Sequence, residues 1–478
     1  MLSMPQTTGP DRGVAWRVVD DLSSLTPLLM VDFVQMKAFG EDPLILTTGD
    51  GIRVRDHRGR WYVDGLSGVF VSALGHGNQR VIQAATQQLN TLAFHAPLFS
   101  TNAPALQLAK LLTGIAPPGY STLKFFSGGA EANEAAFKMA RQFAAQNGNG
   151  KKFKVLSHYR GYHGGTGHAL AASGSPGWRA VYEPFAAGFI HLHPPFSYAA
   201  RFGLEGEALA AAAAALLEET IVLEGPETIA AFITEPIMLS AGVRVPPPGY
   251  LERLRTICDR YDILLIFDEI ITGFGRTGHL FASNLFGVTP DLLSFGKGVS
   301  GGYAPLSGVL IQERVAQTFW GDVDDNVHFR AGHTYAGNPV ACAVGVAAVS
   351  ELLERGLVDN ARRMGERLKR GLVALADKHD CIVDVRGEGL LVAVEFAQDR
   401  TTHEPFPESL KFGGRVHRAA RERGLLVREG PNFVVLAPPL VVGEADVDEI
   451  VDLMDTAIGD AVASVDSTAV GELVAHPS

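Results

Sequence analysis

The chain has 478 residues, 46% of them hydrophobic and 19% charged, a length sufficient for a large core or two domains. Its formal net charge of -11 argues against a nucleic-acid surface, which needs clustered Lys and Arg. Three cysteines (Cys258, Cys342 and Cys381) are too few and too scattered for a disulfide framework or a CxxC metal site, so no metal is expected and a reducing cytoplasm fits.

In chain order, the opening MLSMPQTTGPDRGVAW lacks both a charged n-region and an apolar h-region, and no export signal is expected. The first segment with chemistry is FFSGGAEANEAAFKMAR. Phe125 and Phe126 end an apolar run, Ser127-Gly128-Gly129-Ala130 turns, and helix-forming composition begins at Glu131. A glycine-rich turn that opens a helix presents free backbone N–H groups and the positive end of the helix dipole, a ready site for a phosphate. Many helices start after Ser-Gly, so the turn alone decides little. Tyr162-His163-Gly164-Gly165 then offers a ring in a glycine-rich loop, suited to stacking on a flat cofactor. A lone histidine is more often a hydrogen-bonded structural residue, and His163 is given no catalytic role. The Ala-rich stretch 208–217 reads as an amphipathic helix and is about half the ~20 residues that a membrane helix needs, so no span is expected.

Short apolar runs follow at 229–233 (IAAFI), 263–267 (ILLIF) and 292–295 (LLSF). Between the first two, Leu251, Leu254 and Ile257 recur at helical spacing, so the pattern is that of parallel strands joined by helical crossovers. Each run leads into a polar residue: Glu235, then Asp268 with Glu269, then Lys297. In open α/β sheets ligands sit beyond the carboxyl ends of the strands, so the three endings should face one crevice. Lys297 lies between two glycines in FGKG, which leave room for a bulky group, and a desolvated lysine is a usable nucleophile toward a carbonyl cofactor. An isolated loop lysine is usually solvated. Asp268 changes that weighting, because a carboxylate on the neighbouring strand can pair with a protonated pyridine nitrogen and keep the ring an electron sink. From about 463 the sequence shows no sustained apolar period and reads as a tail.

Two motifs mislead. Residues 273–278 (GFGRTG) match the dinucleotide fingerprint GxGxxG, yet they do not follow directly on a strand, and the next strand leads to a lysine where an acid is needed. ILLIFDE looks like the strand and acid pair that hold magnesium in nucleotide hydrolases, but GxxxxGK[ST] is missing.

LLIFDEIITGFGRTG, FGKG and HTYAGNPVACA, in that order, resemble the class III (omega) aminotransferases, over roughly residues 64–440. The resemblance implies the α/β architecture of fold type I enzymes dependent on pyridoxal 5′-phosphate (PLP): a large domain with a mainly parallel sheet flanked by helices, plus a smaller α+β domain from both chain ends. On this chain the small domain would take 1–74 and 341–462 and the large one 75–340, with 463–478 a flexible tail. It also implies a homodimer with its sites at the interface. By matching position, Lys297 resembles the lysine that holds PLP as a Schiff base and Asp268 the partner of the pyridinium. Ile270 and Tyr162 would cover the two ring faces, Gly129 and Ala130 would cup the phosphate, and Thr334 would reach that phosphate from the neighbouring subunit. Ala130 departs from the family's usual serine, which implies weaker cofactor retention.

Ile271 and Ser240 stand where the ornithine and 4-aminobutyrate branch has glutamine and glutamate, so the resemblance leans to the branch acting on amines or omega-amino acids with pyruvate. There Arg428 would bind a keto-acid carboxylate, with Phe70 and Tyr162 as apolar walls. The expected reaction is ping-pong transfer from an amine donor to a keto acid through PLP. The alternatives are a decarboxylating transaminase, an aminomutase or a non-catalytic PLP-binding protein.

Overall fold

The computed structural model describes residues 21–475; the segment read for export signals and the last three residues of the expected tail lie outside the described residues. Two compact units emerge. Among the described residues, one takes those up to Thr48 together with Val54–Trp61, and the other takes Gly49–Arg53 and those from Tyr62 onward. In the first, the Asp21 side chain caps the 3-10 turn Leu22–Leu28 by accepting from the Ser23 N–H, and a short helix covers Met36–Glu41. Strands β1 (Leu46–Asp50), β2 (Arg53–Asp56) and β3 (Trp61–Val63) come next along the chain.

The second unit is built on a seven-stranded sheet of β4 (Tyr120–Phe126), β5 (Lys154–His158), β6 (Phe189–Leu192), β7 (Ile229–Thr234), β8 (Leu264–Asp268), β9 (Leu292–Phe295) and β10 (Ser307–Gln312), in the order β4-β10-β9-β8-β7-β5-β6. Strands β5 to β9 pair in parallel, whereas β10 runs antiparallel to both β9 and β4. The parallel strands are continuous apolar runs because both faces are covered by helices. On β8, Leu264 and Ile266 pack with Phe137 and Met139 of the helix Gly129–Gln146, while Leu265 and Phe267 pack on the other face with Leu254 and Ile257 of the helix Tyr250–Arg260. Each such fully buried side chain is worth about 1.5–3 kcal/mol.

The strand expected at 263–267 is displaced by one residue. The Ile263 N–H donates to the Cys258 carbonyl at 2.9 Å, which commits Ile263 to the exit of the preceding helix and makes Asp268 the last residue of β8. The Ala-rich stretch lies within the helix Gly206–Glu224, which buries Leu209, Ala213, Leu217 and Ile221 at helical spacing. Residues 382–436 supply an antiparallel sheet of β11 (Ile382–Glu388), β12 (Leu391–Phe396), β13 (Arg428–Glu429) and β14 (Phe433–Leu436), in the order β11-β12-β14-β13, with Arg428 on an edge strand opposite Val435. Residues 463–475 continue the helix Glu444–Ala475. Among the described residues no helix is long and apolar enough to cross a membrane.

Candidate active site

The carboxyl ends of β7, β8 and β9 bring Glu235, Asp268 and Lys297 to one cavity of about 310 Å³. Gly129, Ala130, Tyr162 and Ile270 line it as well. Lys297 follows β9 at the start of a 3-10 turn, with a positive φ of 43°. A Cβ on Gly298 would come within 2.9 Å of the Phe274 Cβ, and one on Gly296 within 3.2 Å of the Ile270 Cδ1. The room beside these two glycines, expected to admit a bulky group, is therefore filled by Phe274 and Ile270, which fix the lysine's turn. Burial pushes the Lys297 ammonium below its ordinary range, against the opposing pull of the Asp268 and Glu235 carboxylates.

Period-2 alternation along β8 sorts its two terminal acids. Asp268 continues the side of Leu264 and Ile266, toward the helix Gly129–Gln146. Its Oδ2 accepts from the Asn133 amide at 2.8 Å and lies 2.9 Å from the His163 Nδ1, while its Oδ1 accepts from the Ile270 N–H at 3.2 Å. Glu269 turns away from the cavity. It accepts from the backbone N–H groups of Ala282 and Ser283 and from the Thr272 hydroxyl, so it caps a helix start. Asn133 and His163 were missed as site residues. A position one turn into the phosphate helix was the one available signal for Asn133, and His163 had only its place beside Tyr162.

At the helix Gly129–Gln146, the N-cap Gly128 makes no side-chain cap bond, which leaves the first-turn N–H groups turned toward the cavity without a capping acceptor. A Cβ on Gly129 would meet the Ile270 Cδ1 at 3.0 Å, and one on Gly164 would meet the Ala130 Cβ at 2.5 Å, so both glycines are needed for the close approach of the turn, the loop and Ile270. Uncapped donors, a buried carboxylate held by two side chains and a desolvated amine together form a donor set that fits PLP: its phosphate, its ring nitrogen and its aldehyde.

Glu235 accepts from the Tyr162 N–H (3.0 Å) and the Leu239 N–H (3.1 Å). Burial still pushes it up to about 7, with His163 pulling the other way and the Asp268 charge adding to the rise. Three sequence-selected residues lie outside the cavity lining. Phe70 is buried, with the Arg428 guanidinium 5.8 Å from its ring centre, and Val71 takes its place on the wall. Burial lowers the Arg428 pKa, with Glu235 opposing. Thr334 is exposed. The apolar wall of Val71, Ile237 and Ile271 was not foreseen, since only the tertiary fold brings its parts together.

The family described as Aminotransferase class-III matches residues 36–458. This chain belongs to that family. Like its relatives, this aminotransferase is a PLP-dependent transaminase of fold type I. It is 37% identical to the taurine–pyruvate aminotransferase of Bilophila wadsworthia over 426 residues, which span 87% of this chain and 92% of that one. Among solved structures it is similar to a thermostable (S)-enantioselective omega-transaminase from Thermomicrobium roseum, with a TM-score of 0.88 and 38% identity, covering 92% of this chain and 98% of that chain. The omega transaminase of Pseudomonas jessenii in complex with PMP also gives a TM-score of 0.88, with 36% identity, covering 93% of the aminotransferase and 98% of that chain.

Proposed function

We propose that this aminotransferase moves an amino group from an amine or omega-amino acid to pyruvate or a similar keto acid, as a cytoplasmic homodimer. The convergence of Lys297, Asp268 and the uncapped turn on a cavity with an apolar wall carries this reading. Ile271 on that wall, where the ornithine and 4-aminobutyrate branch has glutamine, favours donors with an apolar group at that point.

Bound PLP supplies the electron sink for the pair left on the donor carbon. Lys297 would hold the cofactor through its amine and, once free, would move the proton at the donor carbon, a task for which its lowered pKa suits it. Asp268, fixed by Asn133 and His163, keeps a proton on the ring nitrogen. The N–H groups of Gly129 and Ala130 bind the phosphate, and Thr334 joins them from the other subunit. Ile270 and Tyr162 cover the ring faces and exclude water. Arg428 pairs with the keto-acid carboxylate, and Phe70 supports its guanidinium.

The test is an absorbance spectrum of the purified protein with a panel of amines, followed by pyruvate. A visible cofactor band that bleaches with a donor and returns with pyruvate is expected. A band that no amine bleaches would reject the donor class, and no band after incubation with PLP would reject the site.

A further inference from the structure

A second hollow, of about 640 Å³, shares no lining residue with the catalytic cavity. Arg160, Arg201, Arg244 and His193 line it together with the rings of Tyr159 and Tyr198, and among the described residues the lining holds no carboxylate. The Phe196 ring, also on the wall, has the guanidinium of Arg160 5.9 Å from its centre and that of Arg244 at 5.6 Å. Arg244 is matched by Glu395, at 2.8 and 2.9 Å, a carboxylate that it shares with Arg386. Among the described residues neither the Arg160 nor the Arg201 guanidinium has an ion pair. Cations gathered on one hollow repel each other until an anion enters.

The flat surfaces are also built. Tyr159 stacks on His191, with centroids 5.3 Å apart and planes 28° from parallel, and lies 5.1 Å from His193. His193 in turn meets Tyr198 edge-on at 6.1 Å. Arg160 is held in a left-handed backbone conformation, φ 64°, which strains a non-glycine residue. Two bonds hold it there: its N–H donates to the Gly174 carbonyl at 3.0 Å, and its carbonyl accepts from the Ser240 hydroxyl at 2.6 Å. Gly174 has to be glycine, because a Cβ there would sit 2.2 Å from the His158 carbonyl.

We propose that this hollow binds a planar aromatic oxyanion, such as an aryl carboxylate, with the ring against the tyrosine and phenylalanine faces and the charge between Arg160 and Arg201. Guanidiniums recognise carboxylates in plane, and they also stack on rings, so the two halves of the lining suit one ligand. The site stands apart from the transamination reading.

The experiment is calorimetric titration of the cofactor-loaded, full-length protein with 2-naphthoate. One site per chain is expected, weakened about tenfold or more in Arg160→Gln/Arg201→Gln and about threefold or more in Arg201→Gln alone, with transaminase turnover unchanged in both. Arg201 is exposed on a helix, so its variant remains informative if the strained Arg160 position does not tolerate change. Equal affinity in the variants and the parent, as naphthoate in the catalytic cavity would give, overturns the proposal. So does equal binding of inorganic phosphate, which has no ring, or of 2-naphthol, which carries no carboxylate.

Discussion

The two halves of the catalytic region are held differently. On the Asp268 side every functional group is tied: the carboxylate by Asn133, His163 and the Ile270 N–H, and the lysine turn by side chains that press on its flanking glycines. On the Arg428 side the guanidinium sits on a two-residue edge strand over the Phe70 ring, and among the described residues no ion pair fixes it. Rigid placement suits a cofactor that has to present the same geometry in both half-reactions. A loosely tethered cation suits substrates that differ in whether they carry a carboxylate.

That contrast can be broken in four ways. The largest effect belongs to Lys297→Ala, which should cost about a thousandfold or more in turnover and abolish the visible cofactor band. Near-normal steady-state rates would remove the lysine from the mechanism. Next is Glu235, which lies between the halves. Its folded value of about 7 exceeds the ordinary ~4.3, so the folded cofactor-free chain binds the extra proton between those limits. Stability should therefore fall as pH rises from about 4.3 to about 7 and level off above, by a few kcal/mol, at roughly 1.4 kcal/mol per unit. Glu235→Gln should remove that slope in urea titrations at pH 5 and pH 8, and an unchanged pH dependence would refute the assignment.

Third, Arg428→Ala should lower kcat/KM about 10- to 100-fold for carboxylate substrates and little for plain amines, the cost of one charge-assisted pair. Equal losses for both classes would mean that the two halves are not functionally distinct. The smallest effect is that of Ala130→Ser, which adds one hydroxyl to the phosphate turn and should tighten PLP about fivefold by equilibrium dialysis. The close packing of Ala130 against Gly164 leaves that hydroxyl the cavity side only. Unchanged affinity would show that the backbone N–H groups already satisfy the phosphate.

The rigid half was the legible one. Apolar runs that end at Glu235, Asp268 and Lys297 announce strands and their outlets together, because composition changes abruptly where a buried strand leaves the sheet. What could not be read is what lies across from those residues. Asn133 and His163 reach Asp268 over 135 and 105 residues of chain, and their places beside the phosphate turn and Tyr162 do not say that they meet there. The same holds for Val71 and Ile237, which any buried hydrophobic position could imitate. Asp268 and Glu269 are equivalent as letters, and only the alternation of the strand sends one to the cavity and the other to a helix cap.

The GFGRTG segment, a false fingerprint in the sequence, has a further bearing on how the protein is made. The buried Arg276 guanidinium donates to the carbonyls of Leu390 and Pro438 and to the Ser67 hydroxyl, three segments spread over most of the chain. A nascent chain leaving the ribosome carries this cation for more than a hundred residues before its last acceptor is synthesised. Arg276 therefore gains its last acceptor only once Pro438 has been synthesised, well after the central sheet, and before the helix Glu444–Ala475.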